Sequence, residues 1–125
     1  MRSAVTGAGV HAAAGAYSHA VSAGELVFVS GQAPIDASGE IVVGDFATQA
    51  RAAFDNLERV LGAAGLGLDD VQRVGVFLTD LADFATLNEV MRERFREPFP
   101  ARTTVPVELP DFRIEVDAIA VRRAG

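Results

Sequence analysis

"DVQRVGVFLTD", residues 70–80, decides the fold, because this short segment separates two longer segments of a different periodicity. Val74, Val76 and Leu78 alternate against Arg73 and Gly75, and a period of two residues is typical of a β-strand. The segments on either side repeat their apolar residues every three or four positions, as helices do. The sequence therefore predicts one strand between two helices.

The first of these helices has clear signals at both ends. Asp45 can accept a free N–H group in the first turn, and apolar residues then share one face from residue 46 to residue 64. Gly65 supplies the left-handed conformation that commonly ends a helix. The second helix is predicted from about Asp83 to Arg96, and Pro98 and Pro100 stop it.

Short runs rich in apolar and β-branched residues predict the remaining strands. They are "ELVFVSG" (25–31), "EIVV" (40–43), "RTTVPVEL" (102–109) and "RIEVDAIAV" (113–121). We expect 40–43 to return as a hairpin, and a tight Pro-Asp turn to join the last two strands. This order predicts an α+β sandwich in which two helices cover one face of a single mixed sheet.

The second face of that sheet has no helix left to cover it. The strands at 25–31, 70–80 and 113–121 are nevertheless apolar on both alternating sets of positions. A surface of this kind is normally buried against another molecule. We therefore expect a symmetric oligomer.

Length and charge limit the class of protein. The chain has 125 residues, half of them hydrophobic, which fits one domain over residues 1–125. A net charge of -6 argues against a nucleic-acid surface, which needs concentrated basic residues. No stretch approaches the roughly 20 apolar residues of a membrane span, and the N-terminus does not resemble a signal peptide. We therefore expect a cytoplasmic protein that binds neither nucleic acid nor membranes.

The missing residue types exclude several kinds of catalysis. The chain contains neither cysteine nor lysine, so thiolate chemistry and Schiff-base formation are excluded. Its two histidines, His11 and His19, do not have the spacing of zinc ligands. Acid or base chemistry must then come from Asp, Glu, Tyr17 or His19, and we expect no metal.

Arg102 and Glu115 are the candidate pair for such chemistry. If the last two strands form a hairpin, these side chains can lie close together. The planar guanidinium fits a carboxylate, while a glutamate can orient a water molecule, so the pair has the features of a small-acid site. On spacing alone, a solvated ion pair between neighbouring strands is the preferred interpretation.

Six segments, in order from residue 15 to residue 121, resemble the YjgF/RidA family of reactive-intermediate deaminases. They are "GAYSHAV", "VFVSGQAPID", "QARAAFDNLERVLGAAG", "DVQRVGVFLTDLADFATLNEV", "FPARTTV" and "IEVDAIAV". The resemblance implies a chorismate-mutase-like fold and a homotrimer with clefts between its subunits. It also implies hydrolysis of 2-imino acids, such as 2-iminobutanoate and 2-iminopropanoate, to 2-oxo acids and ammonia, without a cofactor.

The resemblance also assigns residues. It implies that Arg102 binds the substrate carboxylate and that Glu115 acts as general base and then acid. The positions that match the lining of the family's cleft are Tyr17, Ser30, Gly31, Asn88 and Thr104. Thr104 stands where many members have a cysteine, and Ala16 stands where many have a proline, so the preferred substrate can differ from theirs.

Two other functions stay open. A non-catalytic module that senses a small carboxylate, such as a 2-oxo acid, would use Arg102 and leave Glu115 idle. Some relatives in the family have been linked to RNA cleavage, but the acidic balance of this chain counts against an RNA surface.

Overall fold

The structure, a computed structural model, describes residues 1–7, 10 and 12–123. The strands are β1 (Ser3–Ala4), β2 (Ala20–Ala23), β3 (Leu26–Gln32), β4 (Val71–Leu78), β5 (Ala101–Pro106) and β6 (Ile114–Val121). The α-helices are α1 (Phe46–Ala63) and α2 (Phe84–Arg94). The strands form one sheet in the order β1-β2-β3-β6-β4-β5, in which only β4 and β5 pair in parallel. The predicted α+β fold with one mixed sheet and two helices is confirmed.

Local signals form α1 as the sequence predicts. The Asp45 carboxylate accepts a hydrogen bond of 2.9 Å from the Thr48 N–H, which caps the N-terminus. Gly65 follows the helix with a φ of 78°, a conformation that glycine adopts without steric cost. The apolar face of α1 packs against β3 and β6, and α2 packs against α1.

The core lies between these helices and one face of the sheet. Alternate residues of β3, β4 and β6 point into it and are fully or almost fully buried: Val27, Val29, Val74, Val76, Leu78, Ile114, Val116, Ala118 and Ala120. Phe54 and Leu57 of α1 meet them with no exposed surface. Burial of this apolar surface is the main force that holds the helices on the sheet.

The opposite face of the sheet, which we call the open face, carries the other set of alternating residues. Leu26 and Phe28 of β3 are 40% and 39% exposed on it. Ile119 of β6, which pairs with Phe28, and Phe77 of β4 lie on the same face and are only partly buried. The open face therefore exposes several large apolar side chains in one copy of the chain.

The expected hairpin of the last two strands is wrong. β5 pairs in parallel with β4 at the sheet edge, and β6 lies on the other side of β4. The physical reason is the helical crossover: α2 carries the chain back to the end where β4 began, so that the next strand runs in the same direction. β6 then inserts between β3 and β4.

Two smaller differences concern the ends of the sheet. The segment 40–43 forms a single bridge between Ile35 and Ile41 instead of a strand. The strands β1 and β2 extend the sheet beyond β3 in a region for which the sequence predicted none. Their short, alanine- and serine-rich segments lack the β-branched runs that mark the other strands.

Candidate functional site

Glu115 lies on the open face of β6, where an irregularity in β3 makes room for it. The register between β3 and β6 shifts between Val29 and Gln32, so that Ser30 and Gly31 form a bulge. A Cβ atom placed on Gly31 would lie only 2.0 Å from Glu115 Oε1. The absence of a side chain at Gly31 is thus what allows the carboxylate to rest against the bulge.

The surroundings of Glu115 favour its protonated form. Burial raises the pKa of the Glu115 carboxyl above its ordinary value, and the negative charge of Asp117 raises it further. Within the described part of the chain, Glu115 makes no side-chain hydrogen bond, so its oxygens are available to a water molecule or a ligand. A carboxyl group with these properties is suited to general acid–base chemistry.

Asp117 has a similar arrangement on the same face of the sheet, but it lies beside β4 instead of β3. Its Oδ1 accepts a hydrogen bond of 3.0 Å from the Gly75 N–H, and a Cβ on Gly75 would lie 2.2 Å from that oxygen. Asp117 lies two residues after Glu115 on β6 and therefore on the same face of the strand. A glycine opposite each carboxylate is visible only once the strands are paired.

Ser30 and Tyr17 lie on the segment that borders the bulge. The Ser30 hydroxyl donates to the Ser18 carbonyl at 2.6 Å, and the Ser30 N–H donates to the His19 carbonyl at 2.8 Å. Tyr17 is 51% exposed, and its ring meets the edge of the His19 ring with centroids 6.1 Å apart. Ser30 thus holds the segment that carries Tyr17. Its hydroxyl proton is donated to the Ser18 carbonyl and is not free for a ligand.

Arg102 lies on edge strand β5 and points toward the helical side of the sheet. It pairs with the fully buried Val74, and its guanidinium carbon lies 5.1 Å from the centre of the Phe84 ring. Partial burial lowers the pKa of the Arg102 guanidinium, and among the described residues no carboxylate offsets that cost. An anionic ligand would supply the missing partner.

A groove of about 330 Å³ lies beside Arg102, between α2 and the start of β5. Its lining residues are Asn88, Met91, Arg92, Phe99, Pro100 and Arg102. The structure thus places Arg102 and Asn88 along one groove. Thr104 lies two residues beyond Arg102 on the same side of β5, and its buried hydroxyl has no hydrogen-bond partner in the described residues.

The expected proximity of Arg102 and Glu115 within one chain is wrong. β4 lies between their strands, where Val74 pairs with Arg102 and Phe77 pairs with Glu115. Strand spacing and rise place the two backbones roughly 14 Å apart. Their side chains also point to opposite faces, because Val74 faces the core and Phe77 faces away from it. One copy of the chain therefore holds two separate groups of candidate residues.

The histidines form no metal centre with their surroundings as far as the structure describes them. His19 is buried, with its Nδ1 atom 3.2 Å from Gln32 Nε2, while His11 lies outside the described residues. In residues 1–7, 10 and 12–123, no cluster of His, Asp and Glu side chains is arranged to hold a metal ion.

None of the helices in the described ranges has both the length and the apolar character needed to cross a membrane.

Comparison with known proteins shows what this arrangement resembles. The family model described as "Endoribonuclease L-PSP" matches residues 9–122. The chain is 49% identical over 111 residues to a RutC family protein of Pyrococcus horikoshii, a match that covers 86% of this chain and 88% of the relative. It is 44% identical over 117 residues to the 2-iminobutanoate/2-iminopropanoate deaminase of Salmonella typhimurium, with 90% and 91% covered.

A solved structure with a bound amino acid is also similar. Escherichia coli TdcF with bound serine superposes with a TM-score of 0.87 at 39% identity, and the match covers 97% of this chain and 99% of that one. Sequence identity at this level over almost the whole length goes beyond a shared fold. The chain belongs to the endoribonuclease L-PSP family, which is the YjgF/RidA family.

Proposed function

We propose that this protein hydrolyses reactive 2-imino acids, such as 2-iminobutanoate and 2-iminopropanoate, to 2-oxo acids and ammonia. The observation that carries the proposal is Glu115, a half-buried carboxyl with a raised pKa and without a side-chain hydrogen bond among the described residues. The name of the Salmonella typhimurium relative supports the same reaction. Arg102, which lacks an anionic partner within the described chain, supplies the carboxylate-binding group that such a substrate needs.

The site is completed between two copies of the chain. The carboxylate and the imine carbon of a 2-imino acid are directly bonded, so Arg102 and Glu115 must lie within a few ångströms of one small molecule. In one chain they lie on opposite faces of the sheet. The exposed Leu26 and Phe28 make the open face suited to burial against another copy. A homotrimer with one cleft at each boundary satisfies both requirements.

The chemistry then uses a water molecule and the side chains of the cleft. Arg102 holds the substrate carboxylate by two charge-assisted hydrogen bonds, which fixes the imine carbon near Glu115. Glu115 takes a proton from water while the water oxygen forms a bond to that carbon. Glu115 then returns the proton to nitrogen, which gives a carbinolamine. It next takes the proton of the new hydroxyl group and passes it to the nitrogen as the carbon–nitrogen bond breaks, so that the carbonyl forms and ammonia leaves. The backbone near Gly31 and Thr104 and the Tyr17 hydroxyl orient the polar end.

A coupled assay tests the reaction. A dehydratase that releases the imine from an amino acid is mixed with this protein, and the disappearance of the imine is followed. We expect faster loss of the imine with the protein than without it, by roughly 10²-fold or more at saturating enzyme. Unchanged loss, from a preparation that binds a 2-oxo acid, would favour the non-catalytic sensor instead.

The family name also refers to endoribonuclease activity, which is not part of the proposed function. Phosphate binding requires clustered basic side chains, whereas this chain has a net charge of -6. Four of its arginines already end on carboxylates: Arg51, Arg94, Arg96 and Arg123.

Replacing the glycine beside Glu115 is expected to reduce activity. In Gly31→Ala, the new Cβ would lie 2.0 Å from Glu115 Oε1, so the carboxylate must move away from the bulge. We expect roughly a 10²-fold loss of imine hydrolysis with the fold retained. The coupled assay gives the rate, and circular dichroism checks the fold.

Gly75→Ala is the matched control, because its Cβ would displace Asp117 in the same way, at 2.2 Å from the carboxylate oxygen. Asp117 influences Glu115 through its charge but does not contact the substrate in the proposed mechanism, so this variant should lose stability but keep clearly more activity than Gly31→Ala. Equal losses of activity in two folded variants would mean that Glu115 has no special part in the reaction.

A further inference from the structure

The groove beside Arg102 contains a second guanidinium for which the mechanism has no use. Arg92 lies one helical turn after Asn88 on α2, so both side chains line the same side of the groove. The remaining lining residues are Met91, Phe99 and Pro100, together with Arg102. Two positive charges therefore face one cavity whose lining includes no carboxylate.

Three other arginines near the groove, unlike Arg92 and Arg102, form ion pairs with carboxylates among the described residues. Arg51 pairs with Glu93 at 2.9 Å, and Arg94, on the same helix as Arg92, pairs with Asp55. Arg96, beyond the end of that helix, pairs with Asp69. In the described part of the chain, Arg92 and Arg102 have no such partner. Arg102 is partly buried and Arg92 is exposed, so the groove offers two guanidinium groups, both without a carboxylate partner in that part of the chain, to a ligand with more than one negative charge.

We propose that this groove selects 2-imino acids that carry a second anionic group, with Arg92 as the residue that determines this specificity. The inference rests on the proposed function, because it assigns the substrate's own carboxylate to Arg102. The second carboxylate, at the end of a short side chain, then meets Arg92, while the Asn88 amide donates a hydrogen bond in the same groove. A groove of about 330 Å³ has room for a short dicarboxylic acid.

The test compares a singly and a doubly charged product analogue by calorimetric titration. 2-Oxobutanoate and 2-oxoglutarate are titrated into the parent, Arg92→Gln and Arg94→Gln. Arg94→Gln removes the same charge from the same helix but from a side chain that already pairs with Asp55 outside the groove. We expect the parent to bind 2-oxoglutarate more tightly than 2-oxobutanoate, by roughly tenfold or more.

Arg92→Gln should abolish that preference and leave the affinity for 2-oxobutanoate within about twofold. Arg94→Gln should keep the preference. A parent that binds 2-oxobutanoate without preferring the dianion, or an Arg92→Gln variant that weakens both ligands equally, would overturn the inference while leaving the proposed function intact. A parent that binds neither acid would overturn both.

Discussion

Glu115→Gln is expected to lose most imine hydrolysis and to keep its affinity for 2-oxo acids. The amide has nearly the shape of the carboxyl but cannot accept the proton of the attacking water, so a loss of roughly 10²–10⁴-fold in turnover follows. The coupled assay measures turnover, and calorimetric titration with 2-oxobutanoate measures binding. A variant with the parental rate would make Glu115 structural and would favour the non-catalytic sensor.

The stability of the same variant provides the control for folding. Since burial and Asp117 raise the pKa of Glu115, the ionised carboxylate destabilises the native state at pH 7. Glu115 therefore contributes less to stability as the pH rises through its native-state pKa. Glu115→Gln should melt at a higher temperature than the parent at pH 7, and the difference should shrink as the pH falls and the parent becomes protonated. A lower melting temperature at pH 7 would contradict this account of Glu115.

Arg102→Ala is expected to weaken binding of 2-oxobutanoate by roughly 10²–10⁴-fold and to lose activity with it. Charge-assisted hydrogen bonds contribute roughly 1.5–3 kcal/mol each, and alanine removes both of them. Arg102→Lys should restore little of the loss, because an ammonium group cannot reproduce the planar contact with a carboxylate. Calorimetric titration on the three proteins gives the affinities.

Arg51→Ala serves as the matched control for the loss of a charge. Arg51 is an exposed arginine that already pairs with Glu93, so its removal should leave the affinity for 2-oxobutanoate unchanged. Equal affinity in the parent, Arg102→Ala and Arg102→Lys would show that Arg102 is a solvated strand residue. The binding site would then have to lie elsewhere.

The helices and β4 could be predicted from the sequence because their signals are local. The period of the apolar residues in α1, the Asp45 cap and Gly65 lie within one segment, and each has the predicted role in the structure. Alternation along β4 likewise identified the residues that face the core. No knowledge of a neighbouring strand was needed for any of these.

The position of β5 could not be predicted in the same way, because alternation within a strand does not reveal its partner. The alternation within each strand correctly indicates which residues share a face with Arg102 and which share a face with Glu115. Their relation to one another depends on β4, which lies between them. Adjacent segments in sequence suggested a hairpin, but the crossover through α2 determined the actual pairing.

The candidate site depends even more on pairing between strands. The family resemblance supplied Gly31 and Glu115 separately, but only the bulge in β3 shows that the carboxylate occupies the space of a missing side chain. The only sequence feature that pointed to Arg92 is its spacing of four residues from Asn88 on a helix. That spacing indicates a binding site only once the structure places both residues beside Arg102. Helical spacing shows that Asn88 and Arg92 lie on the same side of α2. It does not show that Arg102 of β5 lies opposite them.

Mixing two inactive variants tests most directly whether Arg102 and Glu115 act on one substrate from different chains. Arg102→Ala and Glu115→Gln are co-expressed in equal amounts, and light scattering first establishes that the mixture and the parent assemble as trimers. Random assembly should leave about one quarter of the boundaries with an intact arginine from one chain and an intact glutamate from its neighbour. We predict that the mixture recovers about one quarter of the parental imine hydrolysis, while each variant alone stays inactive. No recovery in mixed trimers, or a parent that remains a monomer, would contradict the shared site.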